Sequence, residues 1–301
     1  MKRALILGSS GFVSRYLSRE LTECGYLVLG VGRNTEPPCD ILDESSVVAA
    51  IRSFRPDIVF NMAGRSSVRE SWNAPAGAFD MNVKGTLHLL EAVRKADWPV
   101  RLLLVGSSEQ YGAQLTPGVA MGEDLPLCPQ NPYGISKCTQ ELLGKLYASA
   151  FHMDIVMTRS FNHIGPDQPA GFVIPDLIQG IVSVENRRQD ALYVGNLSVS
   201  RDFTDVRDVA RAYRLLAECG EKGEVYNVGS GKMWKLRELL DKLLSMAAVP
   251  VPVRTDPKRM RPSDMAYTLC DYQKLHRATG WSPQIQTEQT LWEMLEHVRR
   301  M

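Results

Sequence analysis

The sequence contains no apolar run near the ~20 residues a helix needs to cross a membrane, and its N-terminal apolar stretch meets glycine at Gly8. Neither a membrane span nor a cleaved export signal is expected. Charge of one sign is not in excess either: Lys and Arg total 35 against 34 for Asp and Glu, a net charge of +1. That balance offers no field for a nucleic-acid backbone or an anionic membrane, so neither is expected as a partner. There is no CxxC pair and no His-Cys cluster at metal-ligand spacing, because Cys24, Cys39, Cys128, Cys138, Cys219 and Cys270 are scattered. A metal site is not expected, and free thiols in a reducing cytoplasm are. Internal repeats and low-complexity segments are missing as well. What remains is a 301-residue chain, 44% hydrophobic, long enough for one large domain or two intimately packed ones.

Short apolar runs alternate with amphipathic stretches through the first half. Strands are expected at 3–8, 26–32, 57–63 and 100–108, with helices at 14–25, closed by Gly25, and at 82–96. Continuously apolar strands alternating with helices mean a parallel sheet covered on both faces. After "DIVMTRSFNHIG" (154–165), Pro166, Pro169 and Pro175 break the rhythm and a smaller region begins. It is expected to hold helices at 175–188, 206–219 and 235–247 and strands at 191–195 and 224–231. The fold class is therefore α/β: a Rossmann-type doubly wound parallel sheet with a smaller, partly interleaved α/β substrate-binding domain. Residues 1–161 form the dinucleotide domain, to which the chain later returns, and 162–301 form mainly the substrate region.

The first turn, "GSSGFVS", sets Gly8 and Gly11 between a strand and a helix, where bare backbone lets a pyrophosphate reach helix N-terminal amides. Ser14 stands where a third glycine is often found. The second strand ends in "VGRN" rather than in an acid that would hold ribose hydroxyls, and the fork of Arg33 suits a 2′-phosphate. Asp40 and Ile41, in "CDILD", are placed for an adenine edge and face, although a helix cap at Asp43 would look the same. Further on, "NPYGISK" (131–137) sets Tyr133 and Lys137 one helical turn apart on a shared face, with Pro132 starting the helix and Asn131 free to cap it. A nearby ammonium favours a phenolate. The strand before that helix ends in "VGSSEQYG", so Ser107 lies at the carboxyl edge where open α/β sheets bind ligands.

"GSSGF", "NVKGTLHLL", "SSEQYG" and "NPYGISK" together resemble the extended short-chain dehydrogenase/reductase family, whose nucleotide-sugar branch matches this chain end to end. "RSFNHIGPDQPAGFVIPDL", "GNLSVSRDFTDVRDVARAYRLL" and "RMRPSDM" sharpen the likeness to its GDP-sugar members. The resemblance implies a catalytic set of Ser107, Tyr133 and Lys137, with Glu109 beside it. It implies cofactor contacts from Gly8, Ser10, Gly11, Phe12, Val13, Arg33, Asp40, Ile41, Ala63, Gly64, Asn82, Tyr133 and Lys137. Substrate contacts are implied for Ser108, Asn162, Val173, Arg201, Arg261 and Asp264. Asn61 and Gly64 depart from the histidine and alanine that many relatives carry, and His163 reads as a structural hydrogen-bonding group.

The implied activity is NAD(P)H-dependent reduction of the C4 ketone of GDP-4-keto-6-deoxy-D-mannose to GDP-D-rhamnose, with NADP(H) preferred and NAD(H) a possible cofactor. The alternative is a dehydratase or epimerase that recycles its cofactor. In a dehydratase a glutamate at position 109 removes the sugar C5 proton, whereas in a reductase it orients hydroxyls. A non-catalytic nucleotide sensor would be expected to have lost Tyr133 or Lys137. The partner is a small nucleotide-sugar, and the resemblance also implies a homodimer. In the two helices that would form its bundle, Val83, Leu87, Leu90 and Val93, and Leu142, Leu146, Tyr147 and Phe151, exceed what one core-facing stripe requires.

Overall fold

The computed structural model describes residues 1–112, 118–259 and 266–301. Its first half runs β1 (Arg3–Leu7), α1 (Phe12–Glu23), β2 (Leu27–Val31), α2 (Glu44–Phe54), β3 (Ile58–Asn61), α3 (Val68–Asn73) and α4 (Pro75–Phe79). A π-helical turn, Asp80–Lys84, leads into α5 (Gly85–Arg94), followed by β4 (Arg101–Ser107), a 3-10 turn Ser108–Gln110, α6 (Pro132–Ala150) and β5 (Asp154–Ser160). The second half runs β6 (Asn162–Ile164), α7 (Val173–Glu185), β7 (Leu192–Val194), β8 (Ser200–Asp205), α8 (Val206–Cys219) and β9 (Val225–Val228). It ends with β10 (Met233–Lys235), α9 (Leu236–Ser245), β11 (Val253–Thr255), α10 (Gln273–Thr279) and α11 (Thr287–Arg299).

Among the described residues the main sheet has six strands in the order β2-β1-β3-β4-β5-β9, every pair parallel. Burial on both faces explains its unbroken apolar strands. One face packs on α2, α5 and α6 through Val47, Ile51, Leu89 and Tyr147. The other packs on α1, α8 and α10 through Leu17, Leu21, Tyr213 and Leu275. A separate core gathers α7, α9 and α11 around Ile178, Leu239 and Leu291. The strand order reverses between β1 and β3, and a crevice opens at the carboxyl ends of strands at such a switch point.

Several sequence expectations need correction. Within 154–165 the chain forms two strands: β5 stays in the main sheet and β6 pairs instead with β8. Between them the Phe161 side chain turns into a small core with Tyr111, Met121 and Cys270. The segments 206–219 and 224–231 lie on the first region as α8 and β9, the stretch where the chain comes back to it, and β9 extends the sheet beyond β5. The helix read over 82–96 is α5 alone, preceded by the π-turn. Of the eight apolar residues singled out on the two bundle helices, Leu90, Val93 and Tyr147 belong to the core. Leu87, Leu142, Leu146 and Phe151 are exposed, at 38%, 62%, 54% and 49%.

Candidate functional site

The glycine turn closes tightly because Gly8 adopts φ +78 and a Cβ there would lie 2.7 Å from the Ala63 backbone. Only glycine combines that conformation with that approach. Gly11 is the N-cap of α1 and supplies no side-chain cap, nor does the first turn carry an acid. The helix amides there remain open to an anion. Ser14 is buried, and its hydroxyl donates to the Gly8 carbonyl at 2.8 Å. A serine in place of the third glycine thus reinforces the turn. Ser10 is exposed at the rim, the Phe12 ring stacks on His163 at 6.3 Å, and Val13 packs into the core below. His163 is held at Nδ1 by the Phe161 carbonyl, 3.2 Å away, and burial lowers its pKa.

At the end of β2, Arg33 is exposed and makes no hydrogen bond or ion pair among the described residues. The Asp40 carboxylate accepts from the Leu42 amide at 3.0 Å, and Asp43 caps α2 by accepting from the Ser45 amide. Ile41 does not present its side chain to a ligand: it is 3% exposed and packs against Gly85. The expectation that Ile41 would offer a face to adenine is corrected to that extent, and its carbonyl meets His88 Nδ1 at 3.0 Å.

Asn82 sits in the π-turn, a distortion often found at functional sites. Its Oδ1 accepts from the Arg65 amide at 2.9 Å, and its Nδ2 donates to the Arg65 carbonyl and to Ser136 Oγ. All of these bonds brace the loop after β3 against α6. Gly64 makes room for this brace, since a Cβ there would come within 2.7 Å of Asn82 Oδ1. Asn61 is buried and donates to Thr86 Oγ1 at 3.3 Å.

Ser107, Tyr133 and Lys137 converge at the carboxyl end of β4. Ser107 caps the 3-10 turn, and its amide donates to Gln110 Oε1 at 2.8 Å. Pro132 starts α6 and Asn131 caps it, accepting from the Gly134 amide at 2.8 Å. Burial pushes the Tyr133 pKa up to about 12; the Ser107 hydroxyl works against the rise and the Glu109 charge adds to it. Burial also pushes Lys137 down to about 7. Lys137 Nζ donates to the Val105 carbonyl at 2.8 Å and to Gln140 Oε1 at 2.9 Å. An ammonium so held has a further proton to give. Glu109 accepts from Asn131 Nδ2 at 2.7 Å.

Beneath these residues lies a buried network that the sequence reading missed. Gln110 Nε2 donates to Glu141 Oε2 at 2.7 Å, and Arg159 grips both oxygens of that carboxylate at 2.8 Å. Tyr111 joins it, accepting from Arg159 at 3.0 Å and donating to Asn227 Oδ1 at 2.7 Å. A charged residue at helical spacing after Tyr133 and Lys137 was the available signal, and it looks like any surface glutamate.

A family model described as GDP-mannose 4,6 dehydratase matches residues 5–294. The chain belongs to the GDP-mannose 4,6-dehydratase family. It is 34% identical over 297 residues to GDP-6-deoxy-D-mannose reductase of Pseudomonas aeruginosa, covering 98% of this chain and 96% of that one. It is 26% identical over 349 residues to GDP-mannose 4,6-dehydratase of Yersinia enterocolitica, covering 98% and 93%. The structure of RMD from Pseudomonas aeruginosa complexed with NADPH superimposes with a TM-score of 0.91 at 33% identity, covering 100% and 99%.

In this family member Ser108 is buried in the 3-10 turn and Asn162 is exposed at the start of β6. Val173 opens α7 against the third core. Arg201 is buried in β8, and its Nη1 donates to the Ser200 carbonyl at 2.9 Å. Arg261 and Asp264 lie outside the described residues.

Proposed function

We propose that this chain reduces the C4 ketone of GDP-4-keto-6-deoxy-D-mannose to GDP-D-rhamnose with NADPH. The observation that carries the reading is the placement of Ser107, Tyr133 and Lys137 at the sheet's carboxyl edge beside the glycine turn. The alignment lengths favour reduction over dehydration: 297 residues with the reductase stay near the chain's own 301, whereas the dehydratase alignment stretches over 349. The dehydratase thus carries insertions this chain lacks.

The residues fit a dinucleotide. The Gly8 cradle, which a Cβ would fill, and the uncapped start of α1 suit its pyrophosphate. Bound NADPH supplies hydride to the ketone carbon. Ser107 polarises the carbonyl oxygen by donating a hydrogen bond to it, and Tyr133 gives the new alkoxide its proton. Lys137, with a proton to spare, holds the nicotinamide ribose and, as an ammonium, lowers the tyrosine's pKa so that its proton passes more readily to the alkoxide. Asn162 receives the diphosphate and Arg201 the nucleotide end.

Incubation with the keto sugar should oxidise one NADPH per ketone reduced. Release of 4-keto sugar from GDP-mannose with no net change in cofactor would instead make Glu109 a C5 base and the protein a dehydratase.

Arg33 is proposed to read the 2′-phosphate. Arg33→Ala should weaken NADPH about 10- to 100-fold, the scale of a hydrogen bond to a charged group, while leaving NADH affinity unchanged. Titration of both cofactors by fluorescence checks this, and an equal loss for the two would remove Arg33 from that role.

The protein is also proposed to be a cytoplasmic homodimer. None of the six cysteines forms a disulfide, and no helix among the described residues is long and apolar enough to cross a membrane. The exposed Leu87, Leu142, Leu146 and Phe151 form a surface on α5 and α6 that a second copy would cover. Light scattering should give twice 33.6 kDa, and Leu142→Glu with Leu146→Glu should give the monomer. A wild-type monomer would leave those side chains as plain surface.

A further inference from the structure

Three close ties join the turn after β4 to the helix bearing Tyr133. Gly134 presses on Glu109, whose carbonyl oxygen would lie 2.7 Å from any Cβ placed there. Gln110 reaches along α6 to Glu141. The third tie is Asn131, whose one amide faces both ways: Oδ1 accepts from the Gly134 amide at 2.8 Å and Nδ2 donates to Glu109 Oε2 at 2.7 Å. Asn131 is 7% exposed, so the bond to the helix is sheltered from competing water and the bond to Glu109 partly so.

We infer that Asn131 is a positioning residue: by capping α6 and anchoring the Glu109 carboxylate with one amide, it fixes that negative charge against Tyr133. This rests on Tyr133 acting as the proton donor. An amide clamped at its oxygen end by the helix cannot rotate, so its nitrogen presents its donor in one direction. Serine or aspartate would cap the helix as well. Neither would hold Glu109, because serine is shorter and aspartate has no donor and the same charge.

The groups that face Tyr133 are Ser107 and Glu109 from the β4 turn, Lys137 one turn along its own helix, and Tyr213 of α8. Glu109 is the anion in that set. Its fixed charge opposes formation of a phenolate, keeping the tyrosine in the protonated form that meets the alkoxide. Removing the charge, or letting it swing away, has one sign: the tyrosine loses its proton at lower pH, and the alkaline fall of kcat moves down with it.

The test compares wild type, Asn131→Ser, Glu109→Gln and the double variant, following NADPH oxidation by the keto sugar across pH. Asn131→Ser should lower kcat about tenfold, as expected for a misplaced group beside the reacting atoms. The KM for NADPH should not change. Both single variants should shift the alkaline limb downward, and the double variant should match Glu109→Gln alone. Asn131→Ser with wild-type kcat and an unmoved limb overturns the inference, and so do losses that multiply in the double variant. Should Asn131→Ser lower the melting temperature, Asn131→Thr repeats the comparison with another uncharged hydroxyl cap. Wild type inert toward the ketone would be a failure of the reduction reading instead. The same four proteins are then compared in release of 4-keto sugar from GDP-mannose, where unchanged turnover in Asn131→Ser overturns the positioning role.

Discussion

Tyr133→Phe lowers kcat by about a hundredfold or more, the scale of losing a positioned general acid, while NADPH still binds. The ring itself is packed at 7% exposure, and phenylalanine preserves that packing, so the variant isolates the hydroxyl. Burial pushes that hydroxyl up to about 12, with Ser107 drawing it down and Glu109 adding to the rise. At neutral pH it is therefore protonated, the form that a reductase needs when an alkoxide develops on the sugar. Activity that depends on this proton persists through neutrality and is lost as pH rises toward the tyrosine's pKa. Phenylalanine removes the proton source at every pH, leaving Ser107 to polarise the carbonyl with nothing to complete the step. NADPH fluorescence measures binding and NADPH oxidation measures turnover. A variant with unchanged binding and full rate would show that water, not Tyr133, protonates the product.

Much of this site could be read from the sequence because its determinants are local. Gly8 announces a turn that no side chain tolerates, and Asn131 and Pro132 announce a helix start that places Tyr133 and Lys137 on one face. The strands are legible because a sheet covered on both faces needs unbroken apolar runs. What escaped notice is tertiary. Arg159 lies within an apolar strand and Glu141 within an ordinary helix, and their pairing is invisible until β5 and α6 pack. Ile41 looks like a ligand-facing residue from its neighbours, yet Gly85 on a later helix opens the space that buries it. The helices α10 and α11 were missed because their apolar faces meet cores built from distant segments. The π-turn at Asn82 was read as plain helix, since one extra residue in a turn leaves the apolar spacing almost intact.

Arg159→Met destabilises the protein by about 3–5 kcal/mol, the cost of leaving one member of a buried ion pair without the other. The pair is well enclosed, with side chains 4% and 3% exposed. Arg159 also donates to the Tyr111 hydroxyl and the Glu123 carbonyl, so the substitution strips Glu141 and two further acceptors at once. Lys145, 2.7 Å from Glu141 but 45% exposed, only partly replaces the lost charge. Burial acts to raise the Glu141 pKa, but Arg159 and then Lys145 outweigh it and hold the carboxyl below its ordinary range. Its folded pKa being depressed, the pair's contribution is full above the unfolded carboxylate range near ~4.3 and disappears as pH falls through the folded value. Wild type and Arg159→Met should therefore converge in stability toward acid pH. Replacing both partners, as Arg159→Met with Glu141→Met, removes the unpaired charge and should recover most of the stability, because a buried pair exchanged for apolar groups is often neutral. Turnover should not recover with it. Gln110 Nε2 then has no carboxylate to bond, and the turn that sets Ser107 and Glu109 is released from α6. Urea unfolding and NADPH oxidation on the same three proteins separate the two effects. A double variant restored in both stability and rate would show that the ion pair serves folding alone and that the turn is held by its own capping bonds.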